Sequence, residues 1–319
     1  MNLKEKYLFI KNKSKVDYQI SKQFGIKYGL TDYLATVVFR EKSKIGKKYF
    51  YVHHEMVKKY LLKKYGYLLD NYTHSGEKIS STSKIWVFWW QGINVNTPPV
   101  VKKCIKNIIK NAGVREVIVV DKKNYKEYVS IPSYITEKLK NNKITITHFS
   151  DVLRMALLSE YGGIWMDATL FMVDKIPTDI ENYAFYTIKH DKYSDYHVCK
   201  GKWGTFFLAC GENNSTIRLF RNFFYEYLKN EDTFITYFLL DCIIATCYEN
   251  IDEIKILIDS IPKNNENVFE LQKYLFKDFD EEEYHQMKSK SSFFKLSWKL
   301  DFTSDNKKTY YNKIIGGKL

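Results

Sequence analysis

Residues 148–174 read HFSDVLRMALLSEYGGIWMDATLFMVD. Ser150 can act as an amino-terminal cap, and the apolar residues after it recur at helical spacing, which predicts a helix over 150–163. Gly162 and Gly163 can stop it, because glycine accepts the backbone angles that end a helix. IWMD (164–167) then reads as a short buried strand ending in an aspartate. Upstream, KIWVFWW from Lys84, EVIVVD (116–121) and KITIT (143–147) read as three further strands, with a helix from Pro99 to Asn111 between the first two. Strands alternating with helices predict an α/β fold whose sheet is mostly parallel. Downstream, strands are expected at Tyr183–Lys189 and Trp203–Ala209. Helical patterns follow at 214–229, 234–248, 250–260 and 267–279. The acidic cluster Asp278–Glu283 reads as a solvated turn, and the aromatic, basic segment FFKLSWKL (293–300) comes after it.

Ahead of Lys84 the character is different. Residues 1–83 are basic and read as helices; Lys48–Leu69 spaces Tyr51, Val52, Met56, Tyr60 and Leu61 near one face, with lysines between them. The division expected is a helical region over 1–83, an α/β domain over 84–300 and a basic tail over 301–319.

The chain has 319 residues, 45 % hydrophobic and 27 % charged, which excludes extensive disorder. Its net charge of +13 suggests an anionic partner, although a sequence so rich in Lys, Asn and Ile also fits an AT-rich genome. Five cysteines without CxxC spacing argue against a zinc site or a disulfide framework and for buried, reduced thiols. The amino terminus lacks the apolar run of a signal peptide, and Tyr237–Tyr248, the longest apolar stretch, is short and contains Asp241, so no bilayer span is expected.

No GxGxxG, Walker A or GxSxG motif is present, and His53-His54-Glu55 lacks the second histidine of a zinc helix. His148 and His190 are isolated and read as structural. In open α/β sheets, ligands bind beyond the carboxyl ends of the strands. Asp167 stands at such an end, and Asp151 and Arg154, one helical turn apart, stand at the start of the preceding helix. One rim would carry two carboxylates and a guanidinium. Asp241 interrupts the apolar stretch TYFLLDCII, a costly place for a carboxylate unless it is paired or faces a site.

IWVFWWQG, SD-x-LR and YGG-x-W-x-D together resemble the capsular-polysaccharide-synthesis and sugar-binding-DXD glycosyltransferases related to glycosyltransferase family 32, over residues 84–174. A remoter similarity is to the glucosylating domain of the large clostridial toxins. KLSWK (295–299) resembles the lysine-bearing carboxy-terminal motif of the capsular group. The resemblance implies a GT-A-type fold, a Rossmann-like mixed sheet flanked by helices, here with helical amino- and carboxy-terminal additions. It also implies a nucleotide-sugar donor, a divalent metal and retention of anomeric configuration. By position, Asp167 is the first acid of the DXD motif, a catalytic candidate and metal ligand that would contact the ribose and the metal-bound diphosphate. The second is Thr169, so a neutral hydroxyl replaces a carboxylate and weaker Mn²⁺ or Mg²⁺ binding is expected. Asp151 and Arg154 match the pair that holds donor sugar hydroxyls. Trp89, or Trp90 in the adjacent register, matches the indole that stacks on uracil, with Gly92 beside it. Lys295 and Lys299 would face the leaving diphosphate, and Asp241 would lie near the sugar as a catalytic candidate.

The function expected is a retaining, metal-dependent hexosyltransferase that takes glucose or galactose from a UDP-sugar to a lipid-linked oligosaccharide in capsular or surface polysaccharide synthesis. It would be bacterial and cytoplasmic, peripheral at the anionic inner face of the membrane, without a nucleic-acid partner. A toxin-like transferase acting on protein, a non-catalytic nucleotide-sugar binder and a nucleic-acid binder stand as alternatives. The last has no recognisable binding motif behind it.

Overall fold

The structure is a computed structural model, and it describes residues 3–40, 43–190, 196–299 and 308–316. The amino-terminal region ahead of the sheet is helical: α1 (Leu3–Phe24), α2 (Ile26–Tyr33) and α3 (Lys44–Tyr65). The buried face of α3 is Phe50, His53, His54, Val57, Leu61 and Tyr65. Tyr51 and Val52, expected on that face, are exposed. Ile20, Tyr28, Val57, Leu61 and Tyr65 belong to the same hydrophobic core as the sheet, so this region has no separate core. Polar contacts fasten it as well: the buried Glu231 accepts hydrogen bonds from Gln23 at 2.5 Å, from Tyr65 at 3.0 Å, and from Tyr60 and Lys64.

The α/β part follows as β1 (Ile85–Phe88), α4 (Pro99–Asn111), β2 (Val117–Val120), α5 (Tyr125–Tyr128), α6 (Ser133–Lys140), α7 (Ile146–Tyr161), β3 (Gly163–Asp167), β4 (Leu170–Met172), β5 (Phe185–Thr187) and β6 (Phe207–Cys210). Helices α8 (Ser215–Asn230), α9 (Leu239–Asn250), α10 (Asp252–Asp259), α11 (Glu270–Tyr274) and α12 (Glu281–Lys288) come next, and β7 (Phe293–Lys295) is the last strand. The main sheet has the order β2-β1-β3-β6-β5. β1 runs parallel to β2 and β3, whereas β6 is antiparallel to β3 and β5. The sheet is therefore mixed, as the family resemblance implied, and not mostly parallel as the strand–helix alternation suggested. Among the described residues a second, two-stranded sheet joins β4 to β7.

Three local expectations are corrected. KITIT is not a strand. Asn142, at a φ of 55°, ends α6 in the left-handed conformation, and Lys143 N–H bonds back to the Lys138 carbonyl at 2.8 Å. Thr145 then caps α7 by accepting from His148 N–H at 3.2 Å. The alternating β-branched residues are thus spent between two helix ends. Ser150 is consequently not the cap but a residue of the second turn of α7. The acidic cluster is likewise no turn: Asp280 caps α12, and the three glutamates occupy its first turn, where the helix dipole favours negative charge.

Gly162 and Gly163 are required where they stand. Their φ values are 61° and 100°, and a Cβ on Gly163 would lie 2.6 Å from the Lys84 carbonyl oxygen. The chain can leave α7 and enter β3 beside β1 only without side chains there. In the segment expected as a tail, Tyr310, Ile314 and Ile315 are buried with Phe171, Leu271 and Phe294 in a second hydrophobic cluster. Positions 301–307 and 317–319 lie outside the described residues.

Candidate active site

The carboxyl ends of β1 and β3 meet at one edge of the sheet, where Phe88 pairs with Asp167. A cleft of about 550 Å³ opens there. Side-chain alternation along β3 places Trp165 and Asp167 on the same side. Trp165 Nε1 donates to Asp167 Oδ1 at 3.0 Å. Arg154, buried, reaches up from α7 and bridges the two acids: it donates to Asp151 Oδ1 at 2.8 Å and to Asp167 Oδ1 at 3.2 Å. Its guanidinium lies 4.8 Å from the Trp165 ring centre. Both terminal nitrogens of the fork are thus engaged with protein carboxylates.

Lys295 completes the cluster. Its ammonium donates to Asp167 Oδ2 at 2.6 Å and to Thr169 Oγ1 at 2.7 Å. The backbone fixes its place: Lys295 pairs with Leu170 across the β4–β7 ladder, Leu296 N–H bonds to the Thr169 carbonyl at 3.0 Å, and Lys295 N–H bonds to the Val268 carbonyl at 2.7 Å. Burial would raise the pKa of Asp167, but the charges of Lys295 and Arg154 and the hydrogen bonds outweigh it and hold the carboxyl below its ordinary value. Asp151 is pushed up to about 6, chiefly by burial, with Arg154 opposing and Asp167 adding to the rise.

The two tryptophans have different surroundings. Trp89 meets Trp298 edge to face, with ring centres 5.7 Å apart. Trp90 packs against Phe149 at 5.7 Å, Phe88 at 6.2 Å and Tyr125 at 6.3 Å. Both line the cleft, as do Tyr237, Lys295 and Lys299. Gly92 is outside the lining; at a φ of 68° it closes the turn after β1, and a Cβ there would meet Asp121 Oδ2 at 2.7 Å. Asp241 is also outside the lining. It lies in the first turn of α9, not in mid-helix, and accepts from Trp203 Nε1 at 2.9 Å. Burial pushes its carboxyl up to about 7, against the Trp203 hydrogen bond. The sequence reading therefore brings together Asp151, Arg154, Asp167, Thr169, Trp89, Trp90, Lys295 and Lys299. It missed Trp298 and Tyr237. Trp298 lies inside the KLSWK motif, whose lysines carry the family resemblance. Tyr237 carried no motif.

His148 and His190 pack as structural residues do. The His148 ring stacks on Phe234 with centres 3.7 Å apart, and His190 is buried against Phe269. The five cysteines are buried free thiols.

The donor set does not fit the divalent ion that the family implies. A hard dication takes oxygen ligands, mostly anionic. Here Asp167 has both oxygens occupied by cationic or N–H donors, and the next position is a neutral hydroxyl that already accepts from an ammonium. Among the described residues, no group of three or more His, Cys, Asp or Glu side chains could hold a metal.

These features define an α/β protein with a charged, aromatic-walled cleft at the carboxyl ends of its central strands. The chain belongs to the capsular polysaccharide synthesis protein family, whose model matches residues 38–314. It is also similar to the O-glycosyltransferase braB of Annulohypoxylon truncatum, at 33 % identity over 104 residues, 30 % of this chain. That match spans 24 % of the relative's own length. Among solved structures it is similar to the PaToxG glycosyltransferase, at 14 % identity and a TM-score of 0.40, over 75 % of this chain and 94 % of that one.

Proposed function

We propose that the chain is a glycosyltransferase that moves a hexose from a UDP-sugar to a hydroxyl group of a lipid-linked oligosaccharide, with retention at the anomeric carbon. The observation that carries this reading is the convergence of Asp151, Arg154, Asp167 and Lys295 with an indole wall in one strand-end cleft, in a chain of the capsular polysaccharide synthesis family. Trp89 offers a flat apolar face for uracil, and Trp298 stands at right angles to it. Lys295 and Lys299 give positive charge for the diphosphate. Asp151 presents an oxygen not held by Arg154 to sugar hydroxyls.

In the reaction the bond from C1 of the sugar to the β-phosphate oxygen breaks, and its electron pair leaves with UDP. The acceptor oxygen bonds to C1 on the same face, and its proton passes to the departing phosphate. The protein then has to stabilise charge on the leaving group and to orient the acceptor, and cations fixed at the strand end suit that task. Basic, partly apolar helices outside the sheet suit docking at an anionic membrane surface, where a lipid-linked acceptor resides.

The test is release of free nucleotide from a panel of nucleotide sugars by the purified protein, with Asp167→Asn as the control. UDP release from one or two UDP-hexoses, lost in an Asp167→Asn variant that still unfolds cooperatively, though at a lower temperature because Arg154 and Lys295 lose their shared partner, is the expected outcome. Release from no donor, or full activity of Asp167→Asn, refutes the reading.

A further inference from the structure

We propose that the Lys295 ammonium occupies the position of a divalent cation between Asp167 and Thr169, so that donor turnover proceeds without added metal. This rests on the glycosyltransferase reading for its substrate, but the occupancy itself rests on geometry. One ammonium contacts both side chains of the DAT element, at 2.6 Å and 2.7 Å. Its backbone is clamped on both sides of the strand, by Thr169 through Leu296 and by Val268 directly. The ammonium also lies 5.7 Å from the Phe206 ring centre, within cation–π range.

Charge balance leads to the same conclusion. Asp151 and Asp167 contribute two negative charges, and Arg154 and Lys295 contribute two positive ones. These four charges cancel before any metal arrives, and Lys299 in the same lining adds a further positive one. A dication liganded by Asp167 Oδ2 would sit about 2–2.5 Å from that oxygen, against an ammonium 2.6 Å from the same atom. Two like-charged centres on one carboxylate oxygen lie within about 5 Å of each other and repel. Replacing the second acid of the motif with Thr169 fits this arrangement, because a monocation needs one carboxylate fewer than a dication. An ammonium has three donors, and Asp167 and Thr169 take two. The third is left for an oxygen of the diphosphate, so the cation that binds the leaving group is supplied by the chain.

Two measurements test this. In the first, metal-stripped wild type is assayed for UDP release with EDTA and with Mn²⁺. Equal rates are expected, and a rate that appears only with Mn²⁺ overturns the proposal. Lys295→Ala should lose about 100-fold or more in EDTA, the scale of removing one preorganised charge-stabilising donor. In the second, Mn²⁺ is titrated into the protein without nucleotide and its free signal is followed by electron paramagnetic resonance. Wild type should leave the signal unchanged, whereas uptake of one equivalent, abolished by Asp167→Asn, overturns the proposal. Lys295→Ala/Thr169→Asp, which restores the second carboxylate and removes the ammonium, should take up Mn²⁺. Should no donor be hydrolysed under any condition, the glycosyltransferase reading fails, while the Mn²⁺ titration of wild type still decides the cation site. The wild-type arms do not depend on the folding of any variant.

Discussion

Trp89 and Trp90 are adjacent, and the physical environment separates their roles. Trp90 has three aromatic neighbours and closes the top of the core, while Trp89 has Trp298 at its edge in the cleft. Trp89→Ala should weaken UDP binding by about 1–3 kcal/mol, the usual worth of a base-stacking ring, with little change in stability. Trp90→Ala should instead lower unfolding stability by about 2–4 kcal/mol through the cavity it leaves. Isothermal titration with UDP and urea unfolding of both variants distinguish the two, and the reverse pattern would exchange the assignments. Asp241 gives a second test at this scale. With its carboxyl raised from 3.8 to about 7, the folded state favours the neutral acid. Its contribution to stability is complete below about pH 4 and is lost as pH rises through about 7. Asp241→Asn keeps an acceptor for Trp203 without the charge. Its melting temperature should exceed that of wild type at pH 8, and the difference should shrink towards pH 4. A difference that does not vary with pH would show that Asp241 titrates normally.

At the scale of elements, the glycine pair between α7 and β3 sets the height of Asp167 on the rim. Gly163→Ala would force a Cβ into the Lys84 carbonyl at a φ of 100°. It should cost about 2–4 kcal/mol in urea unfolding, and wild-type stability in that variant would mean the turn is not tight. This turn, both flanking elements and the strand-end position of Asp167 were legible in the sequence, because glycine and the apolar runs act locally. KITIT was misread for a local reason too: a β-branched alternation looks the same whether it forms a ladder or caps helices, and only the positive φ at Asn142 decides. The partner of Asp167 was illegible for a different reason. Lys295 was picked out by motif, but its contact with Asp167 and Thr169 depends on β7 pairing with β4, a long-range register that no periodicity encodes. Its proposed partner had been a phosphate.

At the scale of the whole molecule, the basic excess is unevenly matched by apolar surface. On α1, Leu3 is 87 % and Tyr7 64 % exposed, with Leu8 and Phe9 also outward among lysines. No helix among the described residues is long and apolar enough to cross a bilayer. Each near-surface lysine adds about 1 kcal/mol at an anionic membrane, so the protein should sediment with anionic vesicles at low salt, release as salt rises, and ignore neutral vesicles. Equal binding to both vesicle types would assign the attachment to apolar contact alone. The β4–β7 pairing has one more consequence, for synthesis. Lys295 is made 128 residues after Asp167. While the ribosome is still adding that stretch, the nascent α7–β3 unit carries two acids against a single arginine, and its rim is net negative. Only when the late strand docks is that negative charge offset, so a chain interrupted before β7 would expose an open cation trap in which stray divalent ions find the place that the finished chain keeps for its own lysine.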